Sequence, residues 1–187
     1  MFKGPLFWSW EAEIPPAKCQ QFIDDYFVQS EIQDGLFRKL DGSMHDETKR
    51  KTDIVWVKQN TEFFNLIFAY IASANKQVWN YDLSGMEDVQ IGRYEIGGHY
   101  DWHLDMDQIC PQGFQRKLSC SVQLTDENEY EGGDLILQDY LGNENFTMPR
   151  KQGSIIVFPS MVKHKVTPVT SNTRFSAVAW MRGPAFR

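Results

Sequence analysis

The sequence predicts a mainly β fold with flanking α-helices: a double-sheet jelly roll whose N-terminal helices pack on one outer face. Two stretches in the first half carry apolar residues at helical spacing. From Val89 onward the pattern changes to short alternating strands separated by turn signals. Eight such strands following two helices suit two packed sheets with a helical layer outside them. No internal repeat, low-complexity tract or linker divides the 187 residues. A single domain, residues 1–187, is therefore expected, with 1–88 as support and 89–182 as the jelly-roll core.

The aromatic start, with Phe7, Trp8 and Trp10, is expected to pack as an edge strand. Pro15-Pro16 opens a helix, since proline suits the first helical position. Cys19, Phe22, Ile23, Tyr26 and Phe27 form its buried stripe. Ile32 to Leu40 reads as a strand closed by an Asp41-Gly42 turn, and Thr52 to Val57 as another. Asn60 or Thr61 can cap the second helix, which should run to about Lys76 and bury Phe63, Phe64, Ile67, Phe68 and Ile71. The eight core strands are placed at Val89–Ile96, His99–His103, Lys117–Leu124, Asp134–Gln138, Asn145–Pro149, Ser154–Phe158, His164–Pro168 and Thr173–Met181. Gly97-Gly98 and Gly132-Gly133 supply turns between them.

Composition narrows the function. The formal charge of −6 argues against a nucleic-acid carrier, which needs a basic stripe. No apolar run is long enough to span a bilayer, and no signal-peptide core is evident. Three cysteines, Cys19, Cys110 and Cys120, lack Cys-x-x-Cys spacing and suit a reducing, cytoplasmic setting. The compact basic run Lys49-Arg50-Lys51 reads as a solvated loop, with a docking patch for an acidic substrate as the alternative.

The chemistry concentrates in Tyr94-Glu-Ile-Gly-Gly-His-Tyr-Asp-Trp-His-Leu-Asp105. On a strand, His103 and Asp105 share a face. An imidazole and a carboxylate on one face make half of a metal site. His164, just after an apolar strand, is the best third ligand. Two histidines and one carboxylate with open positions suit a non-haem Fe(II) oxygenase. His99 is the rival ligand, because an extended strand would give it the face of His103. His45, among charged residues, reads as a solvated loop residue. Arg174 and Ser176 share a strand face, and a guanidinium beside a hydroxyl suits a carboxylate. Val178 and Trp180 continue that face, so Arg174 is expected to be interior and to need an anion.

His103-x-Asp105, the distal His164 and Arg174 ten residues later resemble the 2-oxoglutarate and Fe(II)-dependent dioxygenases. The fuller pattern Tyr94…Gly97-Gly98…Tyr100…His103-x-Asp105 resembles the prolyl 4-hydroxylase branch, including its small bacterial and phage-type hydroxylases. The similarity runs from about Asn75 to Trp180. It implies a double-stranded β-helix topology, and His103, Asp105 and His164 as ligands to Fe(II). It implies Arg174 on the distal carboxylate of 2-oxoglutarate, with Tyr94 and Ser176 assisting. Trp102 and Trp180 would wall the site. The reaction implied consumes 2-oxoglutarate and O2, releases succinate and CO2, and hydroxylates an unactivated C–H bond. Asp105 favours hydroxylation over halogenation. Ascorbate as reductant is a family expectation that no residue here shows.

A peptidyl proline fits the resemblance best, so a protein or peptide partner is expected. A free amino acid, another protein side chain, a non-catalytic module on the same barrel and a cupin-like metal enzyme stand as alternatives. Two departures bear on the substrate: collagen-type enzymes carry Lys where this chain has Arg174, and Thr where it has Leu135. The loops Asp41–Lys51 and Asp105–Arg116 are the expected lids.

Overall fold

The computed structural model describes residues 5–29, 48–106, 110 and 112–186. The edge strand β1 (Trp8–Trp10) leads to α1 (Pro16–Phe22), which continues as wider π-helical turns over Ile23–Val28. Then come β2 (Arg50–Lys51), β3 (Asp53–Val57) and α2 (Glu62–Ala74), the last extended by π-helical turns over Asn75–Trp79. The strands β4 (Gly85–Met86), β5 (Val89–Tyr94), β6 (His99–His103), β7 (Phe114–Gln123), β8 (Glu131–Gly132) and β9 (Leu135–Gln138) follow. The chain ends through β10 (Asn145–Thr147), β11 (Ile155–Pro159), β12 (His164–Val166), β13 (Val169–Ser171) and β14 (Arg174–Pro184).

Two antiparallel sheets form a jelly roll. The larger runs β1-β11-β7-β14-β5-β3, with β4 also on β14, and the smaller runs β10-β9-β12-β6-β2. A short β13–β8 pair lies outside both. The larger sheet is buried on both faces. One face carries Leu118, Cys120, Val122, Ala177, Ala179 and Met181, which pack with the helices through Phe22, Phe27, Phe63, Ile67 and Ile71. The other face meets the smaller sheet. There Ile156, Phe158 and Tyr94 pack with Leu135, Leu137 and Val166. The same inner face also carries Ser119, Ser121, Gln123, Arg174 and Ser176, all buried. Burying polar groups requires internal partners, so this face already marks where a ligand belongs.

The eight predicted core strands are present, His99–His103 with the expected ends and the others with moved ones. The seventh expected strand, His164–Pro168, stops at Val166, and Val169–Ser171 pairs elsewhere. The strand expected at 117–124 begins at Phe114, and the last strand runs on to Pro184. The two-residue strands β4 and β8 are too short to show any periodicity. Thr61 caps α2, accepting from the Phe64 amide at 3.2 Å. Asn60 instead takes a left-handed φ of 67° just before the cap. The second helix does not stop at Lys76; its π-helical turns end at Asn80, whose φ of 50° is left-handed. Lys49-Arg50-Lys51 is not a solvated loop: Arg50–Lys51 pairs with β6 as an edge strand. The expected strand 32–40, the Asp41-Gly42 turn and His45 lie outside the described residues.

Phe63 is fully buried and stacks on Phe22 with ring centroids 4.1 Å apart. Phe63→Ala is expected to cost about 3–5 kcal/mol in urea unfolding. A loss near zero would show that the helical layer is not part of the cooperative core.

Candidate functional site

The site begins at an irregularity in β6. Across β12, His164 faces His103 and Val166 faces Tyr100. Three steps of β6 therefore lie against two of β12, which is a β-bulge. The extra residue changes the side-chain phase, so Tyr100 and His103 lie on one side. Their rings stack with centroids 3.5 Å apart and 11° between planes. The same change removes the rival ligand. His99 bonds through Nδ1 to the Gly97 carbonyl at 2.9 Å and through Nε2 to the Thr48 carbonyl at 3.2 Å.

Asp105 lies beyond the end of β6, so strand alternation is not what places it. Its amide and that of Met106 both donate to the Ser160 carbonyl, at 3.1 and 2.8 Å. This turn sets the carboxylate between the two imidazoles. Asp105 Oδ1 is 3.5 Å from His103 Nε2, and Oδ2 is 3.4 Å from His164 Nε2. One ligand atom from each residue falls within a 4.8 Å group. His103 Nδ1 bonds the Asp101 carbonyl at 2.8 Å, and His164 Nδ1 bonds the Val162 carbonyl at 2.9 Å. A carbonyl only accepts, so each Nδ1 carries the proton and each Nε2 offers a lone pair inward. This is the tautomer a metal needs, with the outer hydrogen bonds that orient ligating histidines.

The electrostatics agree with that donor set. Burial works to raise the Asp105 carboxyl, but the charge on His164 and the hydrogen bond and charge of His103 outweigh it. The carboxyl is held well below the usual carboxylate range. Burial pushes His164 below the ordinary imidazole value, against the pull of Asp105. An ionised carboxylate beside a buried imidazole that burial holds toward its neutral form suits a divalent cation.

Arg174 lies along the inner face of the larger sheet. It is 1 % exposed, the largest fully buried side chain among the described residues. Its register partner on β5 is Tyr94, and its guanidinium lies 5.3 Å from the Tyr94 ring centre. Nη1 donates to Ser176 Oγ at 3.0 Å and Nη2 to Gln123 Oε1 at 2.8 Å, while Nε has no acceptor. Among the described residues no carboxylate pairs with it. Gly133, with φ of 64°, lies so close that a Cβ there would sit 2.8 Å from Arg174 Cδ. From Arg174 the row continues through Ser176 and Val178 to Trp180, opposite Gln123, Ser121 and Ser119 on β7.

The structure thus brings together His103, Asp105 and His164 in one group, and Tyr94, Ser176 and Arg174 in another. It separates the two expected tryptophans. Trp180 Nε1 is buried without a hydrogen-bond partner, yet its indole helps hold Asp105 charged. Trp102 does not wall the site. Its ring lies against Lys163 and Lys165, the neighbours of His164, and therefore on the opposite side of the smaller sheet. Sequence reasoning missed Gln123, named Tyr100 only as part of the pattern, and read Gly133 only as part of a turn. Gln123 had a signal: Ser119, Ser121 and Gln123 alternate with the apolar residues of β7. A cavity of about 320 Å³ is lined in part by Leu104, Leu141, Met161 and Lys163, and by none of the three donors.

With this geometry in place, known proteins supply the context. Residues 89–182 match the 2OG-Fe(II) oxygenase superfamily. The chain belongs to that superfamily. A PKHD-type hydroxylase of Aliarcobacter butzleri is 35 % identical over 94 residues, covering 48 % of this chain and 41 % of that relative. The matched stretch is thus about two fifths of the relative's length. The prolyl-4-hydroxylase of Pseudomonas putida superposes with a TM-score of 0.73 at 19 % identity, covering 96 % of this chain and 94 % of that one. A Trichoplax adhaerens prolyl hydroxylase, in complex with a hypoxia inducible factor oxygen degradation domain peptide fragment, gives 0.73 at 18 % identity, covering 94 % and 83 %. At such identities the structural likeness shows the jelly-roll fold of prolyl hydroxylases. The 2OG-Fe(II) oxygenase match includes all three clustered donors and Arg174. No helix among the described residues is long and apolar enough to cross a membrane.

The cluster makes stability depend on pH in the metal-free protein. His164 has a folded pKa below its unfolded value near 6.5. Between the two, the unfolded chain binds the proton and the folded chain resists it. This stabilisation is present above about pH 6.5 and is lost as pH falls. Asp105, also depressed, gives a second loss below its unfolded value near 3.8. The urea midpoint is expected to fall between pH 7.5 and 5.5, and to fall less in His164→Gln. Equal slopes in both proteins would contradict the assignment.

Proposed function

We propose that this chain is an Fe(II)- and 2-oxoglutarate-dependent hydroxylase, and that it acts on a proline within a peptide or protein. The observation that carries the first part is the pairing of two complementary groups inside one barrel. One is an ionised carboxylate flanked by two imidazole lone pairs. The other is a buried guanidinium without a carboxylate among the described residues. A divalent cation answers the first and a dicarboxylate with a free distal end answers the second. The described residues are read as one catalytic domain. The prolyl part rests on the likeness to prolyl hydroxylases, one of which holds a peptide.

His103, Asp105 and His164 would hold the iron, and Arg174 with Ser176 would hold the distal carboxylate of 2-oxoglutarate, with Tyr94 closing over it. When bound, iron and 2-oxoglutarate supply oxidative decarboxylation, giving succinate and CO2 and placing one oxygen atom of O2 in a substrate C–H bond. The protein's own residues bind, orient and exclude water. The Asp101 and Val162 carbonyls fix both histidine tautomers. Phe158, 4.8 Å from the His164 ring and nearly fully buried, shields that ligand from solvent. Ser176 and Gln123 hold the guanidinium fork in place before the cosubstrate arrives, which lowers the cost of ordering it.

Anaerobic titration with Fe(II) and 2-oxoglutarate is expected to give the weak visible charge-transfer band of the chelate, and His103→Ala should lose it. No band in folded wild-type protein would remove the oxygenase reading. Arg174→Ala should keep Fe(II) binding and weaken 2-oxoglutarate by about 1.5–3 kcal/mol, roughly ten- to a hundredfold. Unchanged 2-oxoglutarate affinity in that variant would overturn the role given to Arg174.

A further inference from the structure

The described arginines fall into two sets. Arg93 pairs with Asp53 at 2.9 Å, and Arg150 with Asp134 at 2.6 Å. Arg116 and Arg182 share Glu87, at 2.7 and 2.5 Å. Only Arg50 and Arg174 lack a carboxylate among the described residues, and both lie on the inner side of the barrel. Arg174 has a use in the preceding reading. Arg50 has none.

Arg50 sits on the edge strand β2, opposite Tyr100. Its guanidinium carbon lies 4.7 Å from the Tyr100 ring centre, and that ring stacks on His103. Nη2 donates to Gln90 Oε1 at 2.6 Å, and Gln90 is 3 % exposed on the inner face. The Arg50 Nε is buried with no acceptor. A lost partner at a buried donor is costly, so a group that only propped Tyr100 would be better apolar. Gln90 stands four residues from Tyr94 on β5, roughly 13 Å along the strand. Arg50 is therefore beside the metal-binding cluster but away from the end of the barrel where Arg174 lies. Lys49 and Lys51, both exposed, flank it.

We propose that Arg50 binds a carboxylate of the substrate, so that the peptide accepted is acidic next to the hydroxylated residue. This rests on the hydroxylase reading above. Arg50 makes it specific: a planar fork with a spare N–H selects a carboxylate over a neutral amide.

The test uses the protein loaded anaerobically with Fe(II) and 2-oxoglutarate, and two series of blocked pentapeptides. One series has a central proline and the other a central alanine, each with Glu, Gln or Lys on either side. Binding is read from the change in the charge-transfer band. Wild-type protein should bind a Glu peptide at least tenfold more tightly than its Gln twin at one position. Arg50→Met should erase that preference, Arg50→Lys should keep part of it, and Arg50→Glu should transfer it to a Lys peptide. Equal binding of the Glu and Gln twins, or no binding in either series, would overturn the proposal. So would an altered band in Arg50→Met before peptide is added, because Arg50 would then act only by supporting Tyr100 and His103. Mass spectrometry after admitting oxygen separates the two readings. A Glu preference without hydroxylated proline leaves Arg50 its role and removes the prolyl assignment.

Discussion

A full positive charge is buried at Arg174, and much of the barrel is arranged so that the fold tolerates it. Burying an ion without a counter-charge is among the costliest things a fold can do. Here Ser176 and Gln123 supply neutral acceptors, and the Tyr94 ring lies against the guanidinium. Gly133 gives up its side chain so that Arg174 Cδ can pass. These groups come from three adjacent strands and one turn. The larger sheet can host them because its other face carries the hydrophobic load against the helices. One face stabilises the molecule, which frees the opposite face to be polar.

The metal-binding cluster depends on a different device. Its three donors come from a strand end, a turn and a second strand, and no regular element would converge them. A bulge in β6 sets the phase of His103, a turn onto the Ser160 carbonyl delivers Asp105, and two backbone carbonyls choose the histidine tautomers. Each step uses backbone hydrogen bonds, which are less adaptable than side-chain packing. That rigidity suits a site whose ligands must hold their geometry before any cation arrives.

The strands and helices were largely legible because their periodicities are produced by burial. Leu118, Cys120, Val122 and Leu124 alternate since one side of β7 meets the helices. The donors were legible as residue types in order, and the structure brings them together. The reason given for His103 and Asp105 sharing a face was only partly right, since Asp105 is already past the strand. His99 shows why. A bulge adds one residue without changing composition, so period counting assigns the following side chains to the wrong face. Arg50 was misjudged for a related reason. A two-residue strand has no period, and three consecutive basic residues look solvated until pairing with β6 turns the middle one inward. Trp102, expected to wall the site with Trp180, lies instead against Lys163 and Lys165 on the opposite side of the smaller sheet.

The two departures from the collagen-type pattern, Arg174 for Lys and Leu135 for Thr, both change the polar groups that the interior offers. Leu135 is buried in the cluster between the sheets and offers no hydroxyl. A lysine in place of Arg174 would present a single ammonium. A guanidinium extends further and spreads its donors over a plane. It reaches Ser176 on its own strand and Gln123 across the sheet, and it still has Nε to spare. Position 135 is apolar, and the arginine takes its two acceptors elsewhere. The interior keeps its capacity to hold a carboxylate while the set of side chains that provides it changes.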